Sequence, residues 1–140
     1  MDTTFLSNIN WLAVLVAAIA YFALGALWYS PLFGKKWIQY QNIDMNAPDV
    51  KKGVGGIMFG SFILMLIATI GLAILVERLP LMGGVMSGLK LGLVTGLLFS
   101  ATAISITYLY IKKPLGLHFI DGLYHVVGQI VAAIILCIWK

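Results

Sequence analysis

The chain has 140 residues, of which 61% are hydrophobic and only 10% charged. Soluble domains carry about 25% charged residues, so this composition excludes an ordinary water-soluble enzyme or binding module. The formal charge of +4 sits mostly in lysine-bearing loops, which reads as membrane topology and not as a nucleic-acid footprint, and a single cysteine, Cys137, rules out an internal disulfide.

Four apolar runs of about 18 residues or more predict four membrane-spanning helices in one integral membrane domain over residues 1–140. The opening stretch, MDTTFLSNIN, contains Asp2 and no Lys or Arg, so it lacks the basic segment of a signal peptide. The first apolar run is therefore expected to be a mature span, over about residues 10–30. Pro31 should stop it, because proline cannot continue a helix and disfavours helical geometry in the residue before it. Trp11 at one end, and Trp28 with Tyr29 at the other, suit interfacial anchors. Asn10, Ala17, Tyr21 and Trp28 share one face, expected to face protein.

Residues 31–53 form the longest polar loop. Phe33 and Trp37 around Lys35 and Lys36 suggest a short interfacial segment at headgroup level. Asn46 then fits an N-cap, with Pro48 and Asp49 in the first turn of the following helix. The second span is expected over about residues 54–76, with Gly56 and Gly60 as a small-residue packing pair. Glu77 and Arg78 mark its boundary, and Pro80 stops it.

The third span, about residues 84–111, repeats small residues every four positions: Gly84, Gly88, Gly92, Gly96 and Ser100. Such a row allows close approach of another helix, within one chain or between chains. Lys90 interrupts the run and is expected to snorkel towards the interface, with residues 81–89 as a partly buried extension. Tyr108 and Tyr110 mark the other end, before Lys112, Lys113 and Pro114.

The fourth span, about residues 117–139, carries the most chemistry. On a helix of ~100° per residue, His118, Asp121, His125 and Gln129 fall within an arc of about 80°. Hydrocarbon cannot satisfy these groups, so the stripe must face protein or water. Lysine and arginine counts place Lys35, Lys36, Lys51, Lys52, Lys112 and Lys113 on the cytoplasmic side, against Arg78, Lys90 and Lys140 outside. Both termini are then outside. Lys90 and Asp121 consequently lie about 20–25 Å apart along the membrane normal and cannot pair. The groups at the level of Asp121 are Trp28, Tyr29, Ser30 and Thr107, with Lys35 or Lys36 nearby.

Asn10-Trp11, Gly25, Trp28-Tyr29-Ser30-Pro31, Phe33-Gly34-Lys35 and Trp37 together resemble the opening of a family of small prokaryotic membrane proteins catalogued as domain of unknown function 1761. The resemblance extends more loosely through Gly122-Leu123-Tyr124-His125 to Trp139. The chain departs from that pattern in a shorter proline turn and in carrying Lys90. The resemblance implies four spans in a prokaryotic membrane, here a bacterial cytoplasmic one, and brings no activity with it.

The residues themselves leave several functions open. His118, Asp121 and His125 have metal-ligand chemistry on one helical face, and intramembrane ions often handle protons. The reading preferred is structural: hydrogen bonds to Tyr29, Ser30 or Thr107 fix helix register, and no metal or cofactor is expected. No serine or cysteine has an identifiable base partner and no phosphate-cradling loop appears, so the chain is not expected to be an enzyme. The expectation is an all-α antiparallel bundle that self-associates and serves as a packing or accessory protein for membrane lipids or a membrane partner. The alternative is an oligomeric channel or transporter for ions, protons or small solutes, lined by the fourth helices.

Overall fold

Asn10 opens the first long helix, its side-chain oxygen accepting the Ala13 N–H at 3.0 Å and so satisfying a donor that the first turn leaves free. The computed structural model describes residues 3–140, which fold into helices and turns with no strand among them. The helices are α1 (Trp11–Leu32), α2 (Gly34–Gln41), α3 (Val54–Arg78), α4 (Gly84–Tyr110) and α5 (Leu115–Ile138). All but α2 are long and apolar enough to cross a membrane, and they alternate in direction. Met1 and Asp2 lie outside the described residues, and with them the N-terminal argument that rests on Asp2.

Pro31 does not stop the first helix. The chain widens into a π turn over Trp28–Leu32, in which the Phe33 N–H reaches back five residues to the Trp28 carbonyl at 2.9 Å. The longer ring absorbs the bond that proline cannot make. The helix at Asn46–Asp49 is also absent. Asp44 accepts the Asn46 N–H at 2.9 Å in a local turn, and α3 begins only at Val54, after Gly53 adopts φ +76°. Left-handed backbone of that kind suits glycine, which has no Cβ to clash. The start expected for a partly buried extension at residues 81–89 moves to Gly84, after Gly83 at φ +77°.

α5 is the most buried of the four long helices and the axis of the bundle. α4 lies closely against it. A Cβ added at Gly88 or Gly92 would stand 2.6 Å from the backbone nitrogen of Ile134 or Ile130, and one at Gly96 2.6 Å from the Val126 Cα. Only glycine permits that approach. The seam is thus within the chain. Gly84 meets open space and takes no part in it.

α1 packs its Ala13, Val14, Ala17 and Tyr21 face into the core, where Ala17 and Ala18 are fully buried. α3 joins from Phe62, which meets Phe22 of α1 edge-on at 5.7 Å, and buries Thr69, Leu72, Ala73 and Val76 in its second half. Its opening turns stand clear: Gly55, Gly56 and Gly60 have no atom within 4 Å of a Cβ position, so the Gly56/Gly60 pair packs against nothing in this chain. At the end away from the lysine loops, the Lys140 Nζ donates to the Val76 carbonyl at 2.7 Å and Arg78 lies 4.0 Å over the Phe5 ring. Both cations sit by the C-terminus of α3, where they complement its dipole. Lys90 is exposed on α4.

Candidate functional site

The polar stripe of α5 is covered by side chains from α1 and α4. Asp121 is 6% exposed, and both of its carboxylate oxygens are taken. The Tyr29 hydroxyl donates to Oδ1 at 2.6 Å, and the Tyr108 hydroxyl donates to Oδ2. A buried carboxylate without donors is strongly destabilising, so this pair of phenols is what allows Asp121 to sit there.

Each phenol is held in place by its neighbours. The π turn of α1 lengthens the turn by one residue and so narrows the angle between successive side chains, bringing Trp28 and Tyr29 both against α5. The Trp28 indole N–H donates to the Ile120 carbonyl at 2.9 Å, fixing that turn on α5 one residue before Asp121. Trp28 is accordingly buried between helices and does not act as a lipid-facing anchor. The Tyr29 ring meets Trp37 of α2 edge-on at 5.6 Å and Tyr124 of α5 at 5.1 Å. Tyr108 meets the His118 ring edge-on at 5.5 Å. Edge-to-face contacts of this kind lock ring orientation.

One turn further along α5, the Tyr21 hydroxyl and His125 Nδ1 hydrogen-bond at 2.6 Å. The Tyr124 hydroxyl donates to the Tyr21 carbonyl at 3.1 Å. Gly128 leaves room for the Tyr21 ring, which would collide with any Cβ there. Deeper still, Gln129 is 7% exposed and its side-chain amide donates to the Ser100 hydroxyl of α4. α4 carries a π-helical stretch over Val94–Ala101, which sets Ser100 towards Gln129.

The residues expected around the stripe divide. Tyr29 faces Asp121, while Ser30 and Lys35 are exposed at the surface and Thr107 donates to the Ala103 carbonyl of its own helix at 3.2 Å; Ser100, expected in the packing row, instead faces Gln129. Tyr29 is turned inward by the π turn; Ser30, next along the same turn, is carried outward. His118 stands apart from the other three stripe residues, with its Nε2 buried and without a hydrogen-bond partner. The polar atoms of His118, Asp121 and His125 do not converge, and among the described residues no three His, Cys, Asp or Glu side chains form a metal-ligand set.

Trp28, which the sequence set level with Asp121, bonds the carbonyl next to it, whereas Tyr21, Tyr108 and Tyr124 carry the network without having been singled out as partners by the sequence. Tyr21 and Tyr124 had a usable signal: a phenol well inside an apolar span needs a hydrogen-bond partner. Tyr108 had none that separated it from Tyr110, which is 85% exposed.

α2 closes the lysine end. Trp37 and Tyr40 turn inward, Lys35, Lys36 and Gln39 outward. The Tyr40 ring lies on Gly116, where a Cβ would collide with it, and the Lys113 Nζ donates to Gln41 Oε1 at 2.8 Å. The arrangement can brace α1, α2, α4 and α5 against one another around the buried Asp121 side chain.

The family described as protein of unknown function (DUF1761) has a model that matches residues 12–137, nearly the whole chain. No curated protein and no solved structure matches.

Proposed function

The chain belongs to the DUF1761 family, and from that premise we propose that it is a non-enzymatic accessory protein of the bacterial cytoplasmic membrane, binding lipid or a membrane partner. The observation that carries this reading is the occupancy of the stripe. Asp121 has both carboxylate oxygens bonded to side chains of other helices in the same chain, and His125 and Gln129 each bond one such side chain. A conducting path needs such groups turned to water or to a passing ion, and here they face tyrosine and serine hydroxyls. Polar groups paired in this way fix helix register and rotation.

Two surfaces remain for an accessory role. The start of α3, from Val54 to Phe59, is apolar and exposed along its length, which suits bilayer lipid or the helix of a partner. The lysine end carries Lys35, Lys36, Lys51, Lys52 and Lys112, all exposed, beside the amphipathic α2. Positive charge at that density favours the cytoplasmic side and an anionic lipid surface.

Proteoliposome flux tests the reading against a channel or transporter. Wild-type protein should give proton and potassium fluxes equal to those of empty vesicles, and Asp121→Asn should change neither. A flux that appears with the wild type and vanishes with Asp121→Asn would overturn the accessory reading.

A further inference from the structure

A second polar cluster lies at the end away from the lysine loops, where α3 stops at Arg78 and α5 at Ile138. The last carbonyls of a helix lack partners within it and carry partial negative charge, so two negative helix ends meet at this corner. Between them and the start of α1 is a pocket of about 60 Å³. Asn8 and Asn10 line it ahead of α1, Glu77 from the last turn of α3, and Trp139 and Lys140 from beyond α5. Ala13 and Ala73, both buried, line it too and are small enough to leave the space.

The charges of this corner are not matched in pairs. The Lys140 ammonium donates to the Val76 carbonyl at 2.7 Å, and Arg78 lies over the Phe5 ring. Glu77 is half-buried, and among the described residues no hydrogen bond or ion pair engages its carboxylate, although a lysine lines the same pocket. A carboxylate in the last turn of a helix is also opposed by the dipole, so Glu77 adds negative charge where the helix ends already supply it. Lys140 shows what the corner accepts: an ammonium on a carbonyl of the last turn of α3. It leaves the Glu77 charge unanswered. The Asn10 side-chain oxygen keeps a lone pair beyond its bond to the Ala13 N–H, and the Trp139 indole offers a face that attracts cations.

We propose that this pocket binds a primary ammonium group, with Glu77 as its counter-ion. The proposal deepens the accessory reading above and rests on it. Trp139 and Trp11 are 44% and 52% exposed at this end, which sets the corner at headgroup depth. The ammonium can therefore come from the headgroup of an aminophospholipid or from a small soluble amine. The pocket has roughly the liquid volume of two waters, which suits an ammonium and the carbon that carries it. A trimethylammonium is bulkier and brings no N–H for the carboxylate. Calcium and magnesium fit less well, because they call for a shell of several oxygens and the pocket offers one carboxylate with a lysine beside it. An anion would meet Glu77 and both helix ends.

The test is native mass spectrometry of delipidated full-length protein. It is titrated with phosphatidylethanolamine, its N-methyl and N,N-dimethyl forms and phosphatidylcholine, all of matched acyl chains, and separately with ethanolamine. Wild type should retain one phosphatidylethanolamine per chain, with about tenfold preference over phosphatidylcholine, the scale of one charge-assisted hydrogen bond. Retention should fall with each added methyl group. Glu77→Gln keeps the size of the side chain and removes its charge. It should lose the preference while melting at the wild-type temperature, since nothing among the described residues bonds the carboxylate. Ethanolamine bound by wild type and lost in Glu77→Gln, with no preference among the lipids, would assign the same site to a soluble amine. Equal retention of all four lipids without ethanolamine binding would overturn the ammonium site. So would a preference that survives Glu77→Gln in a well-folded protein. The accessory reading itself falls only to the flux result, so the two failures are distinguishable.

Discussion

Asp121 is a carboxylate inside an apolar helix, and its two oxygens are matched by two phenols from different helices, Tyr29 and Tyr108. Removing one hydroxyl leaves one oxygen short of a donor in a site that water does not reach. Tyr29→Phe or Tyr108→Phe should therefore cost about 1–3 kcal/mol of stability, read by equilibrium unfolding in mixed micelles. Asp121→Asn should be milder than Asp121→Leu, since the amide keeps an acceptor for one phenol and leucine strands both. If the two phenylalanine variants unfold with wild-type energetics, the tyrosines do not hold the carboxylate. The stripe was legible in the sequence because helical period alone puts His118, Asp121, His125 and Gln129 on one face. Tyr29 was legible too, because depth in the membrane set it level with Asp121. Tyr108 and Tyr21 were not, because which side chain meets a stripe depends on how the neighbouring helices rotate about their axes, and no single helix encodes that.

The two glycine patterns separate at the scale of the element. Gly88, Gly92 and Gly96 lie where α4 meets the α5 backbone, whereas Gly56 and Gly60 look onto open space. Opposite signs follow for the same substitution. Gly92→Ala puts a methyl against the Ile130 backbone, which cannot rotate aside, so the helices must separate at a cost of about 1–3 kcal/mol. Gly56→Ala meets nothing and removes glycine's backbone freedom, so it should stabilise by roughly 0.5–1 kcal/mol. Unfolding measurements on the pair check this, and a destabilising Gly56→Ala would reveal a partner helix seated on α3. Small residues at a spacing of four were visible in both helices; which row became a seam was not, since that is decided by the helix opposite. The same holds for Pro31. Its missing N–H was evident, but a turn can either end or widen at such a point, and here the Trp28 bond to the Ile120 carbonyl holds the widened form against α5.

Across the whole molecule, the bundle is tight around α5 and open along the opening turns of α3, and its charge is divided between its two ends. Four spans were readable from hydropathy because each is long enough and apolar enough to satisfy its backbone only as a helix. Charge division leads to a topology. Lys35, Lys36, Lys51, Lys52, Lys112 and Lys113 share one end, and the opposite end has Arg78, Lys90 and Lys140. Lysines resist translocation, so the first end should stay cytoplasmic. Single cysteines at exposed loop positions test this directly once Cys137, buried in α5, is replaced by alanine. Asn46→Cys should resist a membrane-impermeant maleimide in intact spheroplasts and react once the membrane is opened. Met82→Cys, at a fully exposed position in the link before α4, should react from outside without permeabilisation. The reverse labelling pattern would invert the bundle and move Lys112 and Lys113 to the outer leaflet.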